Sequence, residues 1–294
     1  MNIYLDNVNL FSTSGPNHFA SKLRKYMEKR GNTFNSDDIY DAQLSFISAA
    51  NNVAPIYQRL DGIYFNSEQD FKELNRSILE TYNKSRGVIF QSNFNKKLTF
   101  EYFGEHQNSI VIHNGADLEY IDRTPILTNE VLDSYENVWC CASSWRPHKR
   151  LDENIRYFLE HSSEKDCLIV AGSGDQPQRQ EHDRVYYVGN LPIKALISLY
   201  KRSKYFVHLA YLDHCPNVVV DASACGCHII CSSSGGTKEV AGDATVIEED
   251  VWDLKPIKLY EPPKMDFTRK IKNKLRNNID MNYVAAQYEK FLGE

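Results

Sequence analysis

Apolar residues recur along this chain in two rhythms, and the two alternate. Short apolar runs at 3–8, 53–57, 87–91, 110–113, 137–142, 167–171, 184–188, 206–210 and 229–231 predict strands. Between them, stretches at 17–30, 68–84, 93–103, 151–161 and 193–201 repeat apolar residues at helical spacing. In 17–30, Phe19, Leu23, Tyr26 and Met27 share one face, and Gly31 supplies the stop. Strand and helix alternating in this way predict an α/β fold of parallel sheets with helices on both faces. Residues 32–52 carry no readable period. Residues 255–259 read as irregular or strand, and 266–276 as helix. A last helix is expected over 280–292, with Tyr283, Ala286, Gln287 and Phe291 on related faces. No internal repeat or low-complexity segment interrupts the pattern.

Composition narrows the class. The 294 residues are 42% hydrophobic and 25% charged, which is ordinary for one large or two medium globular domains. A proline- and charge-bearing stretch at 123–136 with little periodicity reads as a linker. The net charge of −5 argues against a nucleic-acid partner. No apolar run approaches the roughly 18 residues of a spanning helix. The start, MNIYLDNVNLF, lacks the basic and apolar regions of a secretion signal. Seven cysteines make no CxxC pair and no zinc-like spacing, and most lie in apolar segments as small hydrophobes. These features fit a reducing cytoplasm. No Asp-x-Asp is present, and no metal site is expected.

The densest chemistry lies between Val207 and Ala244. The strand at 206–210 ends in a loop with Asp213, His214, Cys215, Pro216 and Asn217. A helix is expected from Pro216 or Asn217, since proline suits the first helical position. Val218, Val219, Val220, Ala222, Ala224 and Cys225 make it apolar on most sides, yet Asp221 sits within it. A carboxylate on a buried helix needs partners. Either backbone N–H groups satisfy it, or the helix N-terminus faces a ligand and Asp221 accepts from it. SSSGG then reads as a tight turn opening a short helix.

Other candidates lie in loops that follow strands. Gly15, in the turn at 12–16, allows a close backbone approach. Arg59 and Asp61 follow the strand at 53–57, where open sheets bind ligands; an internal ion pair is the alternative. The loop 143–150 holds Arg146, His148, Lys149 and Arg150, either as a solvated basic loop or as an anion site. Gly172 and Gly174 make a lone GxG. A dinucleotide site is rejected because the third glycine is missing and Pro177 interrupts the expected helix.

Asp213 and Asp221, separated by seven residues, resemble the paired glutamates of the family-four glycosyltransferases, which have the GT-B fold. Gly235, Gly236 and Glu239 resemble that family's Gly-Gly-x-x-Glu turn. The run from His113 to Asp117 resembles its Pro-Asn-Gly-Val-Asp turn, with His in place of Pro. Arg146 and Lys149 match, in order, the family's two cations on the donor diphosphate, and Arg150 stands where many members have Gly. Both glutamates are shortened to Asp, so charge is kept and reach is lost. The resemblance is strong from 110 to 244.

It implies two Rossmann-like domains whose parallel sheets face a central cleft. Residues 1–122 form a compact acceptor-side domain, 123–136 the linker and 137–279 the nucleotide-sugar domain; a helix at 280–294 can return to the first domain. The implied activity is transfer of a sugar from a nucleotide-diphosphate donor to an acceptor hydroxyl, retaining and metal-independent, with no cofactor besides that substrate. The acceptor, whether glycan, lipid-linked or small molecule, is left open. Arg146 and Lys149 are expected on the diphosphate, Asp213 and His214 at the donor sugar, and Asp221 on the ribose. Backbone N–H groups at Asn217, Val218 and Val219 are expected on the phosphates, and Gly189, Asn190 and Leu191 beside the base. Gly15 and Glu239 are donor-side candidates; Arg59, Asp61 and Asn114 are acceptor-side ones. The location implied is the cytoplasm, free or peripheral at a membrane. A GT-B epimerase and a catalytically weak nucleotide-sugar-binding protein are the alternative readings.

Overall fold

In the computed structural model, which describes residues 1–12, 14–35, 39–174 and 181–294, the apolar runs pair into two sheets. The first contains β1 (Asn2–Asp6), β2 (Thr33–Phe34), β3 (Ala42–Phe46), β4 (Ile56–Leu60), β5 (Gly87–Phe90) and β6 (Ser109–Val111). Its order is β2-β1-β3-β4-β5-β6, and every pairing is parallel. The second contains β7 (Asn137–Ala142), β8 (Asp166–Ala171), β9 (Val185–Gly189), β10 (Tyr205–His208), β11 (His228–Ser232), β12 (Thr245–Ile247) and β13 (Lys270–Lys272). Its order is β13-β12-β11-β10-β7-β8-β9, parallel except for the edge strand β13. The helices are α1 (Gly15–Lys29), α2 (Phe71–Leu74), α3 (Arg76–Lys84), α4 (Asn93–Phe103), α5 (Leu118–Arg123), α6 (Glu130–Asp133), α7 (Leu151–His161), α8 (Ile193–Arg202), α9 (Asn217–Ala224) and α10 (Met281–Leu292). Among the described residues, no helix is long and apolar enough to cross a membrane.

Each sheet reverses its strand order once, between β1 and β3 in the first and between β7 and β10 in the second. Loops leaving neighbouring strands at such a point run opposite ways and leave a crevice at the strands' C-terminal ends.

Several sequence expectations need correction. The unreadable stretch 32–52 contains β2 and β3. Strand β3 reads Ala-Gln-Leu-Ser-Phe with all five residues buried. Its polar positions are satisfied inside: Gln43 Nε2 and Ser45 Oγ each donate to Asp6 Oδ2 at 3.0 Å. The strand expected at 53–57 starts only at Ile56. The helix expected over 68–84 is two helices parted at Asn75, whose side chain bonds both the N–H and the carbonyl of Tyr64. The stretch 123–136 includes the short helix α6. Helix α9 starts at Asn217, the second of the two expected positions, with Pro216 extended before it. The helix expected at 266–276 is absent; β13 and turns stand there, and Asn273 bonds the carbonyls of Lys238 and Gly242. Thr13, in the turn with Gly15, and Pro177 lie outside the described residues.

Helix α10 packs on the first sheet's side of the molecule. It buries Met281, Val284, Ala285, Tyr288, Phe291 and Leu292, whereas Tyr283 is exposed. This face joins Ile3, Phe19, Leu23 and Tyr26 in one core. Tyr288 also reaches Arg59, which corrects the expectation for Arg59 and Asp61. Arg59 is 1% exposed and ion-paired with Asp61. Its Nε donates to the Tyr288 hydroxyl at 3.0 Å, and its Nη2 to Asn114 Oδ1 at 2.6 Å. The Arg–Asp pair is internal, because a guanidinium in the core must find partners there.

Two side chains of the second unit enter the first. Glu239 accepts from the backbone N–H groups of Asn93 and Phe94 (2.8 and 3.0 Å), from Asn93 Nδ2 (2.8 Å) and from His113 Nε2 (2.9 Å). It thus meets the N-terminal N–H groups and positive end of α4. Desolvation disfavours its charge, but these bonds, led by His113, outweigh it and hold the carboxyl below its ordinary range. The His214 ring sits between Phe65 and Phe94, with Nδ1 3.3 Å from Asn95 Nδ2. A Cβ at Gly62 would come within 2.6 Å of its Nε2, so the ring needs a glycine there. Burial pushes its pKa down to about 4.

Two outcomes follow from this packing. Arg59→Met should cost about 3–5 kcal/mol, the scale for leaving a buried partner charge uncompensated. Urea titration measures it, and Arg59→Met with Asp61→Asn should recover part of the loss; a midpoint equal to wild type would return Arg59 to the list of cleft residues. His214 is neutral when folded and binds a proton near pH 6.5 when unfolded. Its contribution is therefore fully present above pH 6.5 and is lost as pH falls towards about 4. His214→Gln should flatten the fall of unfolding free energy across that window by up to one proton, about 1.4 kcal/mol per pH unit. Parallel pH profiles for the two proteins would contradict the burial assignment.

Candidate active site

The crevice of the second sheet opens where β7 and β10 part. The loop leaving β7 is anchored by Trp145, which is 2% exposed and donates its indole N–H to the Ala171 carbonyl at 2.9 Å. Gly172 and Gly174 explain themselves here. With φ of 101° and 159°, they press against the carbonyls of Ser143 and Trp145, where any Cβ would collide. The GxG serves loop packing.

The same loop continues through a 3₁₀ turn (Pro147–Lys149) to Arg150, which has φ of 50°. The Arg150 guanidinium is buried. It bonds Glu249 at 2.6 Å and the carbonyls of Pro263 and Leu209 at 2.8 and 3.3 Å. Arg150 therefore ties the β7 loop to the chain leaving β10. Lys149, beside it, reaches Asp213: Nζ lies 2.6 Å from Oδ2. His208, the last residue of β10, places Nε2 2.9 Å from the same oxygen. The other oxygen accepts the His214 N–H at 3.0 Å. Burial opposes the charge of Asp213, yet Lys149 and then His208 pull its carboxyl well below the ordinary range. Burial and the Lys149 charge push His148 down to about 3. Leu212, before Asp213, has φ of 55°. Left-handed non-glycine residues thus border both members of the pair, and such strain gathers at functional sites.

A second group lies between the two units. Asp221 is 6% exposed, and its Oδ1 accepts from Lys22 Nζ at 3.2 Å, while His18 Nε2 stands 3.9 Å from Oδ2. Both partners come from α1. These three residues line a cavity of about 100 Å³ with Asp117, Ile193 and Ile197. The helix starts of α1 and α9 touch, with Asn217 Nδ2 3.1 Å from the Gly15 carbonyl. Asn217 Oδ1 is buried without a partner among the described residues. Val218 is half-buried and Val219 is core, so their side chains are committed to packing. Gly189 (φ 67°), Asn190 and Leu191 precede α8, and Asn190 Nδ2 bonds Ser173 Oγ at 2.8 Å.

The structure therefore joins Lys149 with Asp213, and Asn217 with Gly15, while Asp221 pairs with Lys22 of α1. Other candidates stand apart. Arg146 is exposed, makes no ion pair among the described residues, and lines a pocket of about 310 Å³ with Pro147, Asp152 and Pro262. Glu239 and His214 are occupied by the first unit. Asn114 is buried, accepting from Arg59 and donating to the Cys215 carbonyl at 2.8 Å. Its place is a bridge between the units. Sequence reasoning missed His208, Lys22 and His18. His18 and Lys22 are four apart on one helix face, a visible polar pair in an apolar stripe, and His208 ends a strand five residues before Asp213.

Residues 122–253 match the sequence family described as glycosyl transferases group 1. A curated relative is O-antigen chain mannosyltransferase B from Escherichia coli, 22% identical over 202 residues; the match spans 63% of this chain and 53% of that protein. Solved structures cover nearly the whole chain. HepE from Anabaena, in complex with UDP-glucose, superposes with a TM-score of 0.68 at 13% identity, over 99% of both chains. Sucrose-phosphate synthase from Thermosynechococcus elongatus gives 0.67 at 12% identity, over 99% of this chain and 98% of that one. Residues 122–253 thus resemble the glycosyl transferases group 1 family, and the chain as a whole has the GT-B fold.

Proposed function

We propose that the protein transfers a glycosyl group from a nucleotide-diphosphate sugar to an acceptor hydroxyl, with retention of configuration and without a metal ion. The observation that carries this reading is the Lys149–Asp213–His208 group at the strand-order reversal of the second sheet. Breaking a sugar–phosphate bond places negative charge on the departing diphosphate. A fixed cation must meet that charge, and it acts most where the charge is growing.

Lys149 is held there by Asp213. An arriving diphosphate competes for the ammonium and leaves Asp213 to accept from donor-sugar hydroxyls. The first N–H groups of α9, at Asn217 and Val218, meet the phosphates as a helix start does. Arg146 adds a second cation by turning inward from its exposed position. Asp221 exchanges Lys22 for ribose hydroxyls, with Gly15 nearby and Gly189, Asn190 and Leu191 beside the base. HepE in complex with UDP-glucose makes UDP-sugars the first donors to try. The acceptor hydroxyl enters from the first sheet's side of the cleft.

Incubation with UDP- and GDP-sugars in EDTA tests the reading. Slow donor hydrolysis supports a transferase, a changed sugar configuration an epimerase, and binding without turnover a binding protein. A strict need for added Mg²⁺ or Mn²⁺ contradicts the metal-free part.

Lys149→Met should lower turnover about 10²–10³-fold, the scale for removing one preorganised stabilising group, with a smaller loss of donor affinity. Arg150→Met should act on folding instead, lowering the melting temperature because Glu249 loses its buried partner. Undiminished turnover in both Lys149→Met and Arg146→Met would remove the diphosphate assignment. Asp221→Asn should weaken nucleotide diphosphate binding by roughly 1.5–3 kcal/mol, the scale of hydrogen bonds to a charged group. Calorimetry with the accepted nucleotide decides it: wild-type affinity together with lowered stability would leave Asp221 as a partner of Lys22 alone.

A further inference from the structure

His208 is a buried titratable side chain that the diphosphate chemistry does not use. It ends β10 at the crevice and is 3% exposed. Its ring stacks on Phe206, and its Nε2 donates to the Asp213 oxygen that Lys149 also holds. The charged and titratable groups facing it are Asp213 on its own outgoing loop, and Lys149 and His148 on the loop from β7. One carboxylate oxygen thus has two nitrogen donors, of which one is charged and the other is able to become so.

We propose that His208 is the positioning residue of Asp213, and that it takes over as the carboxylate's counter-cation when the donor diphosphate draws Lys149 away. This rests on the transferase reading. Once Lys149 turns to the phosphates, Asp213 is left buried with only neutral donors, which is costly. The group in contact that can gain positive charge is the imidazole. A proton from solvent adds to its free ring nitrogen, Nε2–H continues to donate to Asp213, and the carboxylate keeps both its charge and its orientation towards the sugar. The proton returns to solvent when the nucleotide leaves and Lys149 comes back.

Burial keeps His208 neutral, and Lys149 adds to that. Removing the lysine therefore lets the ring hold a proton at higher pH. The sign is fixed by the geometry: Lys149 and His208 repel through one shared oxygen.

Two measurements test this. Imidazole resonances, followed by NMR against pH in the empty protein, should show His208 titrating at least about one pH unit higher in Lys149→Met than in wild type. This readout needs no donor. In steady state with an accepted nucleotide sugar, His208→Phe should lose about tenfold or more in kcat with KM little changed. His208→Gln, which keeps an N–H donor towards Asp213, should retain more of the rate. An unchanged titration in Lys149→Met, or wild-type turnover in His208→Phe, overturns the proposal. If the wild type turns over no nucleotide sugar, the transferase reading itself fails; if Lys149→Met and Asp213→Asn both keep wild-type turnover, the donor assignment of that pair fails. If they lose it while His208→Phe does not, only the role of His208 fails.

Discussion

A guanidinium sealed in a protein core must find acceptors for the N–H groups it takes out of water, and the way Arg59 does so organises this molecule. From the C-terminal end of β4 it pairs with Asp61, donates to Tyr288 on α10 and donates to Asn114 in the turn after β6. Asn114 passes the connection on to the carbonyl of Cys215, in the loop that carries Asp213. The rings of Phe19 and Phe46 face the guanidinium at 4.1 and 5.1 Å. One charge thus fixes the last helix, the first sheet and the loop of Asp213 relative to one another. Net stabilisation by such a pair is small, because desolvation offsets attraction; breaking it is what costs.

The same logic governs the cleft. Glu239 is matched by the start of α4 and by His113, Asp221 by Lys22, and Asp213 by Lys149 and His208. The carboxylates that the family resemblance assigned to the donor are paired with groups of the chain itself. Under the proposed function, donor binding is an exchange of partners rather than the capture of free charges. Much of the desolvation of Lys149 and Asp213 has been met during folding, and their geometry is set before substrate arrives. Preorganisation of this kind makes fixed charges effective in a transition state.

Much of the fold was legible because apolar rhythm reflects burial directly. The second half reads clearly: β7, β8, β10 and β11 are apolar runs, and α7 and α8 carry clean helical faces. Strand β3 hid because Gln43 and Ser45 are buried yet polar, and partners outside the strand make that tolerable: Asp6, thirty-seven residues from Gln43, accepts from both, and Gln43 also bonds the backbone of Asn51 and Val53. The segment at 266–276 misled in the opposite sense. Its lysines and isolated apolar residues fit either period, and pairing with β12 decided for a strand.

The candidate site divides along the same line. The spacing of Asp213 and Asp221, the order of Arg146 and Lys149, and the Gly-Gly-x-x-Glu turn were written in the sequence and pointed to the fold and to nucleotide-sugar chemistry. Local sequence determines such features, because turn geometry and helix starts act within a few residues. Which charge meets which carboxylate was not written there. That Arg150 is structural while Lys149 faces Asp213, that Lys22 reaches Asp221 across 199 positions, and that Glu239 meets α4 were decided only when the two sheets closed on each other. Buried charges must be paired by whatever side chain arrives within about 3 Å, and tertiary packing alone sets who arrives.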